Sequence, residues 1–242
     1  MTLAQHLRRL LAAVLLLPLA AAPALAGSAA RITGEAIESA SYRGGALPGG
    51  QSALTAKVQI LLDRAHISPG VIDGWRGGMT ESAPRAFEAQ RGLPVDGRMD
   101  EEVWRALGGP EASDLVQSYR ITGEDIRGLS DPLPDDYGKL AKLDRLGFER
   151  VSERLAERFH MAEDFLLALN PGAGFAAGDS IVVAEPGPSA EAEVTQIEIR
   201  KGERRLSAFD AEGRMVSNYP VVVGSQQTPS PSGTHEVVAI AL

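Results

Sequence analysis

Cysteine is absent from all 242 residues. This rules out a disulfide scaffold, a thiolate metal site and a cysteine nucleophile within the chain. Aromatic side chains make up only 5%, so any core is aliphatic and small. Basic residues are outnumbered, 24 against 32 acidic ones, for a formal net charge of −8. A nucleic-acid binder shows a basic stripe, and anionic lipid is held by clustered Lys and Arg; this composition favours neither partner. Long apolar runs are missing too. The longest, Leu10 to Ala22, is 13 residues with Pro18 inside it, short of the roughly 20 that span a bilayer.

That run fits an export signal instead. Arg8 and Arg9 precede it and Ala24-Leu25-Ala26 follows as an A-x-A cleavage site, which together read as a secretory signal over residues 1–26. The expected workplace is the periplasm or cell wall, with no stable membrane insertion after cleavage. The whole chain is 44% hydrophobic and 23% charged, a globular balance. Its length suits one or two ordinary domains or several small ones.

Residues 27–51 are small and Gly-rich and read as a flexible tether. Within them Arg31-Ile32-Thr33-Gly34-Glu35-Ala36-Ile37 recurs as Arg120-Ile121-Thr122-Gly123-Glu124-Asp125-Ile126, either by coincidence or as two similar strands leading into neighbouring domains. Residues 52–107 read as three short helices. Leu54, Val58, Leu61, Leu62 and Ala65 share one helix face. Asp73-Gly74 is a turn, Thr80 is positioned to cap a second helix with Pro84 in its first turn, and Gly92 ends it. Asp96-Gly97 is the matching turn before Asp100, the expected cap of a third helix carrying Val103, Trp104 and Leu107.

These residues carry a resemblance. Asp73-Gly74, Thr80, Arg85-Ala86-Phe87, Gln90, Gly92-Leu93, Asp96-Gly97 and Trp104-x-x-Leu107 are similar to the small three-helix peptidoglycan-binding domain of cell-wall enzymes. The resemblance implies peptidoglycan as partner, through glycan strands or stem peptides. Asp73, Trp75 and Asp96 are the candidate contacts: a tryptophan can stack on a sugar while a neighbouring carboxylate hydrogen-bonds it.

Residues 108–136 read as a linker, with a short strand possible over Tyr119 to Thr122. In residues 137–185, Leu140, Leu143, Leu146 and Phe148 supply apolar contacts, Ser152 caps a helix with Leu155, Ala156 and Phe159 inward, and Phe165, Leu166 and Leu169 line another. Asn170-Pro171 and the run Ile181-Val182-Val183 complete a pattern that resembles a LysM motif, whose family binds N-acetylglucosamine polymers. Its opening strand is then read at Tyr119 to Asp125, displaced by an insertion. Glu153-Arg154 and Glu157-Arg158 read as ion pairs on a solvated helix face.

After a second linker, 186–193, the periodicity becomes two. Val194 to Ile199, Leu206 to Phe209 and Met215 to Val223 form a β-meander across two turns, and Val237 starts a further strand. This meander, with Thr228-Pro229-x-Pro231-x-Gly233-Thr234, resembles the start of an L,D-transpeptidase catalytic domain over residues 194–242. That family forms peptide crosslinks in peptidoglycan through a cysteine acyl-enzyme, with a histidine as base. No cysteine is available, so the chain as given is expected to be inactive and its catalytic domain incomplete. Ser232 and His235 are near each other in sequence, but a nucleophile and base are defined by geometry and not by nearness along the chain. His66, His160 and His235 sit in different segments without carboxylates at ligand spacing.

The expected fold class is multidomain α+β: a three-helix peptidoglycan-binding domain, a LysM-like α/β segment and the start of a β-rich catalytic domain. No catalytic residue, metal ligand or cofactor site is assigned. Two functions remain open, a crosslinking enzyme of the L,D-transpeptidase type and a non-catalytic peptidoglycan-binding module, with a purely structural periplasmic protein behind them.

Overall fold

The computed structural model describes residues 31–239, so the expected signal lies outside the described residues. Seven helices and five strands are present among them: α1 (Gly34–Ser39), α2 (Ala53–Arg64), α3 (Gly78–Arg91), α4 (Glu101–Ala106), β1 (Val116–Arg120), α5 (Tyr137–Leu140), α6 (Val151–Arg158), α7 (Glu163–Leu169), β2 (Ser180–Ala184), β3 (Gln196–Arg200), β4 (Arg205–Phe209) and β5 (Met215–Pro220). Mixed helix and small antiparallel sheets are therefore the architecture. β1 pairs with β2, and β3-β4-β5 form a meander.

The hub is α2. Ser52 caps it, its hydroxyl accepting from the Thr55 N–H at 3.1 Å. Every residue from Thr55 to Leu62 is buried, more than the apolar stripe implies. Lys57 and Gln59 lie on the side expected to face water, but α1 and α3 cover that side. Lys57 Nζ donates to the Glu38 carbonyl at 2.8 Å and sits 5.7 Å from the centre of the Trp104 ring. Burial lowers its pKa, against the pull of Glu38.

The segment read as tether is helical in part. Thr33 caps α1, accepting from the Ala36 N–H at 3.1 Å, and Ile37, Tyr42 and Leu47 are buried. Glu38 accepts from the N–H groups of Leu115 and Val116 at 2.6 and 2.9 Å, so α1 joins α2 to the start of β1. The two copies of the Arg-Ile-Thr-Gly-Glu repeat are not two strands. The first caps and starts α1; the second leaves β1 and turns, with the Thr122 N–H donating to Asp125 at 2.7 Å. In both, a threonine closes a turn, which is the local chemistry the shared residues favour.

Gly77, not Thr80, is the N-cap of α3. Thr80 is buried inside the helix, and Pro84 falls beyond the first turn, where it removes one N–H from the ladder. Gly92 closes α3 in the left-handed conformation, φ 69°, and Asp100 caps α4 by accepting from the Val103 N–H at 2.8 Å.

Between β1 and β2 the chain makes α5, α6 and α7. The strands pair antiparallel from Val116↔Ala184 to Arg120↔Ser180. Residues 115–126 thus carry structure where a linker is expected: Leu115, Ile121 and Asp125 are buried. Of the apolar contacts expected around α5, Leu140 and Phe148 are half-buried, while Leu143 and Leu146 are exposed. Ser152 is not a cap; its hydroxyl donates to Glu163 at 2.6 Å, and Arg150 precedes the helix without a side-chain cap. Arg154 and Arg158 reach across to the turn after β1 instead of pairing along the helix. Arg154 donates to the carbonyls of Asp125 and Arg127 at 2.6 and 2.7 Å, and Arg158 donates to the Asp125 carboxylate at 2.5 Å. The turn's outward carbonyls hold Arg154, and its buried carboxylate together with the Tyr119 hydroxyl holds Arg158.

One apolar cluster runs from Ile37 through α2, α3, α4, α6 and α7 to Ala184. The meander is joined to it through Met215, which packs against the cluster, and by polar contacts. The Ser68 N–H donates to the Asn218 carbonyl at 2.8 Å, and the Asn218 N–H to the His66 carbonyl at 2.9 Å. Arg205 is buried and donates to Asn218 Oδ1 at 2.5 Å and the Ser68 carbonyl at 2.9 Å. Burial without a carboxylate partner in contact pulls its pKa down to about 10. β5 ends at Pro220, and no further strand forms among the described residues after it, where Val222, Val237 and Val238 are exposed.

Candidate functional site

The two Asp-Gly turns of the three-helix unit are built alike. Gly74 has φ 73° and Gly97 φ 76°, a conformation open to glycine without a Cβ penalty. Each aspartate closes its own turn. Asp73 Oδ1 accepts from the Trp75 N–H at 2.8 Å, and Asp96 Oδ1 accepts from the Arg98 N–H at 2.8 Å. A polar side chain from the preceding helix braces each turn. Gln59 Oε1 accepts from the Asp73 and Gly74 N–H groups at 3.1 and 2.8 Å, and its amide donates back to Asp73 Oδ1 at 2.8 Å. Glu88 Oε2 accepts from the Gly97 N–H at 2.7 Å. Burial raises the Glu88 carboxyl, opposed by that N–H.

Asp73 and Asp96 are therefore engaged in turn geometry, while Trp75 is 48% exposed. Gln59 and Glu88 are the residues that sequence reasoning missed. Their signal is a polar side chain at an otherwise apolar helix position before an Asp-Gly turn.

The second turn borders a cleft, through Gly97. It holds about 540 Å³ between the segment Tyr42 to Leu47, the start of α3 and the loop Gly97 to Asp100. Tyr42 and Leu47 form one wall. The Tyr42 hydroxyl lies 2.6 Å from the Met99 carbonyl and 2.5 Å from that of Gly45, and its single proton serves one at a time. Burial, then Asp100 and Glu101, raise its pKa, so it remains a donor. Arg76 closes the other end, donating to the Leu47 carbonyl at 3.0 Å and pairing with Glu81 at 3.3 Å. Trp75 stands next to this cleft in sequence but does not line it.

A second hollow, about 640 Å³, lies against α6 and the turn after β1. Its Arg154 and Arg158 are occupied by the carbonyl and carboxylate partners described above. No group of three or more His, Cys, Asp or Glu is placed to hold a metal among the described residues. No helix among them is long and apolar enough to cross a membrane.

Residues 51–107 match the family model of a putative peptidoglycan binding domain. The cleft lies on this match, with its Tyr42–Leu47 wall contributed from outside. No curated protein matches the chain.

Proposed function

We propose that this is an exported protein that holds peptidoglycan through residues 51–107. The family match carries the reading, and the braced cleft on the same residues supports it. Trp75, exposed beside the first Asp-Gly turn, is the contact proposed for sugar stacking. Asp73 and Asp96 keep the two turns in shape and act at the surface only through their remaining lone pairs. Purified sacculi incubated with the chain and sedimented test the reading: it should pellet with the wall and stay in solution without it. Chain left wholly in the supernatant refutes it.

A second reading rests on particular residues. The antiparallel β3-β4-β5 order, with Thr228-Pro229-x-Pro231-x-Gly233-Thr234 after it, supports an L,D-transpeptidase-type catalytic region. Crosslinking by that chemistry needs a thiolate, which these 242 residues do not contain. The role assigned to the chain as given is thus wall holding. The pairing of β1 with β2 around α6 and α7 likewise supports the LysM-like reading of the middle segment, as a second wall contact.

A further inference from the structure

Resting on the wall-holding reading, we infer that the cleft walled by Tyr42 to Leu47 takes the stem peptide of peptidoglycan and not its glycan strand. A neutral sugar chain is gripped through open aromatic faces and hydroxyl contacts. The cleft has no such face: Tyr42 is 7% exposed, its ring packs against Trp104 at 6.2 Å, and its hydroxyl is taken by main-chain carbonyls. The exposed aromatic, Trp75, lies outside.

The cleft offers charge and small apolar surface instead. Arg98 is exposed and lines it. The backbone N–H of Arg98 is used by Asp96, while its guanidinium enters no hydrogen bond or ion pair among those of the described residues. Of the two acids at the cleft, Asp100 is committed to capping α4 and Glu81 keeps a half-exposed carboxylate beside Arg76. Ala46, Leu47, Pro84 and Met99 line the space between. A stem peptide matches this pattern: small side chains, free carboxylates and, on its diamino acid, an amine. Arg98 meets a carboxylate and Glu81 the amine. A charge-assisted hydrogen bond is worth more than a neutral one, so Arg98 discriminates acidic peptide from neutral glycan. The wall that makes the cleft deep enough for a peptide comes from residues before the matched 51–107, fixed by Tyr42 on Met99.

The test uses the full chain with three probes: intact sacculi, amidase-treated glycan stripped of peptide, and free stem peptide. Free peptide should bind and should compete with sacculi. Arg98→Ala should weaken peptide binding about tenfold, the scale of one lost hydrogen bond to a charged group, with Arg98→Lys restoring part of it. Arg98 is exposed, so neither variant disturbs the core, and unchanged circular dichroism checks this. Free stem peptide that neither binds nor competes with sacculi, or peptide binding that Arg98→Ala leaves unaltered, overturns the inference and leaves wall holding, through Trp75 on the glycan, intact. Absence of any sacculus binding overturns both.

Discussion

Asp125 is the most informative residue to perturb, because four donors converge on one buried carboxylate. It is 1% exposed. The Thr122 N–H and hydroxyl reach it at 2.7 and 2.8 Å, the Tyr119 hydroxyl at 2.8 Å and Arg158 at 2.5 Å. Burial alone acts to raise this carboxyl. The hydrogen bonds from Thr122, Tyr119 and Arg158 outweigh it and hold the pKa down at about 2, against an ordinary 3.8. Each unit is about 1.4 kcal/mol, so the ionised carboxylate contributes about 2 kcal/mol at neutral pH. Most of that belongs to the buried hydrogen bonds, since the Arg158 side chain is 42% exposed and a wet ion pair adds little. A depressed carboxyl stabilises above its unfolded pKa. The contribution is present above about pH 4 and is lost as pH falls toward 2. Asp125→Asn should therefore lose about 2 kcal/mol at pH 7, and the gap from the wild type should close by pH 2. Urea unfolding followed by far-ultraviolet circular dichroism measures both. Tryptophan emission is the wrong probe, because Trp75 and Trp104 lie in the three-helix unit. A loss below about 0.5 kcal/mol at pH 7, or a gap that does not narrow on acidification, refutes the reasoning.

Two further perturbations address how the parts are joined. Arg205→Met leaves the Ser68 carbonyl and Asn218 Oδ1 without their donor; at about 1–3 kcal/mol for an orphaned buried group, the melting temperature should fall by several degrees, and an unchanged value contradicts the clamp. Asp63 lies 2.7 Å from His160 Nδ1 and raises the imidazole's pKa above its ordinary value despite partial burial. This contribution is complete below the unfolded pKa of about 6.5 and fades as pH rises through the higher folded value. An NMR titration should place His160 above a model imidazole in the native chain and return it toward normal in Asp63→Asn; identical titrations in both would show that the contact is not made.

What could be read from the sequence was local. Gly92 ends α3, Asp100 caps α4 and the Asp-Gly pairs turn, all from chemistry confined to a few residues. Non-local bracing left no such trace. Gln59 reaches a turn 14 residues away, and Glu88 reaches one 9 residues on; periodicity reports which face of a helix is apolar and is silent on what covers the other. The cleft wall was hidden for the same reason. Gly44-Gly45 and Pro48-Gly49-Gly50 look like a tether, and only Tyr42 and Leu47, two large side chains in a stretch of small ones, hint that it is pinned. Trp75 was legible as an exposed aromatic, but its neighbour Arg76 was not legible as the closure of a cleft, because that role depends on Leu47.

The meander shows how far a pattern can be correct locally and dependent globally. Its alternation predicts strands, and three form in antiparallel register. The same alternation implies an apolar face over a core, and among the described residues that face is only half covered: Leu206, Phe209, Met215 and Val216 are half-buried. Ala208 is the one buried apolar side chain among the described residues of 194–239, whereas Arg205, Ser207, Ser217 and Asn218 are buried and polar. The buried polar side meets Ser68, through Arg205 and the Asn218 carbonyl. Ile197 and Ile199 remain 52% and 56% exposed. Strands of five, five and six residues with so little fully buried apolar surface are marginal in water, and buried polar groups specify a structure only when their partners are present. A peptide of residues 186–242 should therefore lack dispersed amide signals and unfold without a cooperative transition, while the same residues in the full chain show both. Cooperative melting of the isolated peptide would mean that its exposed isoleucines find a core without the three-helix unit, and that Arg205 attaches a domain already folded.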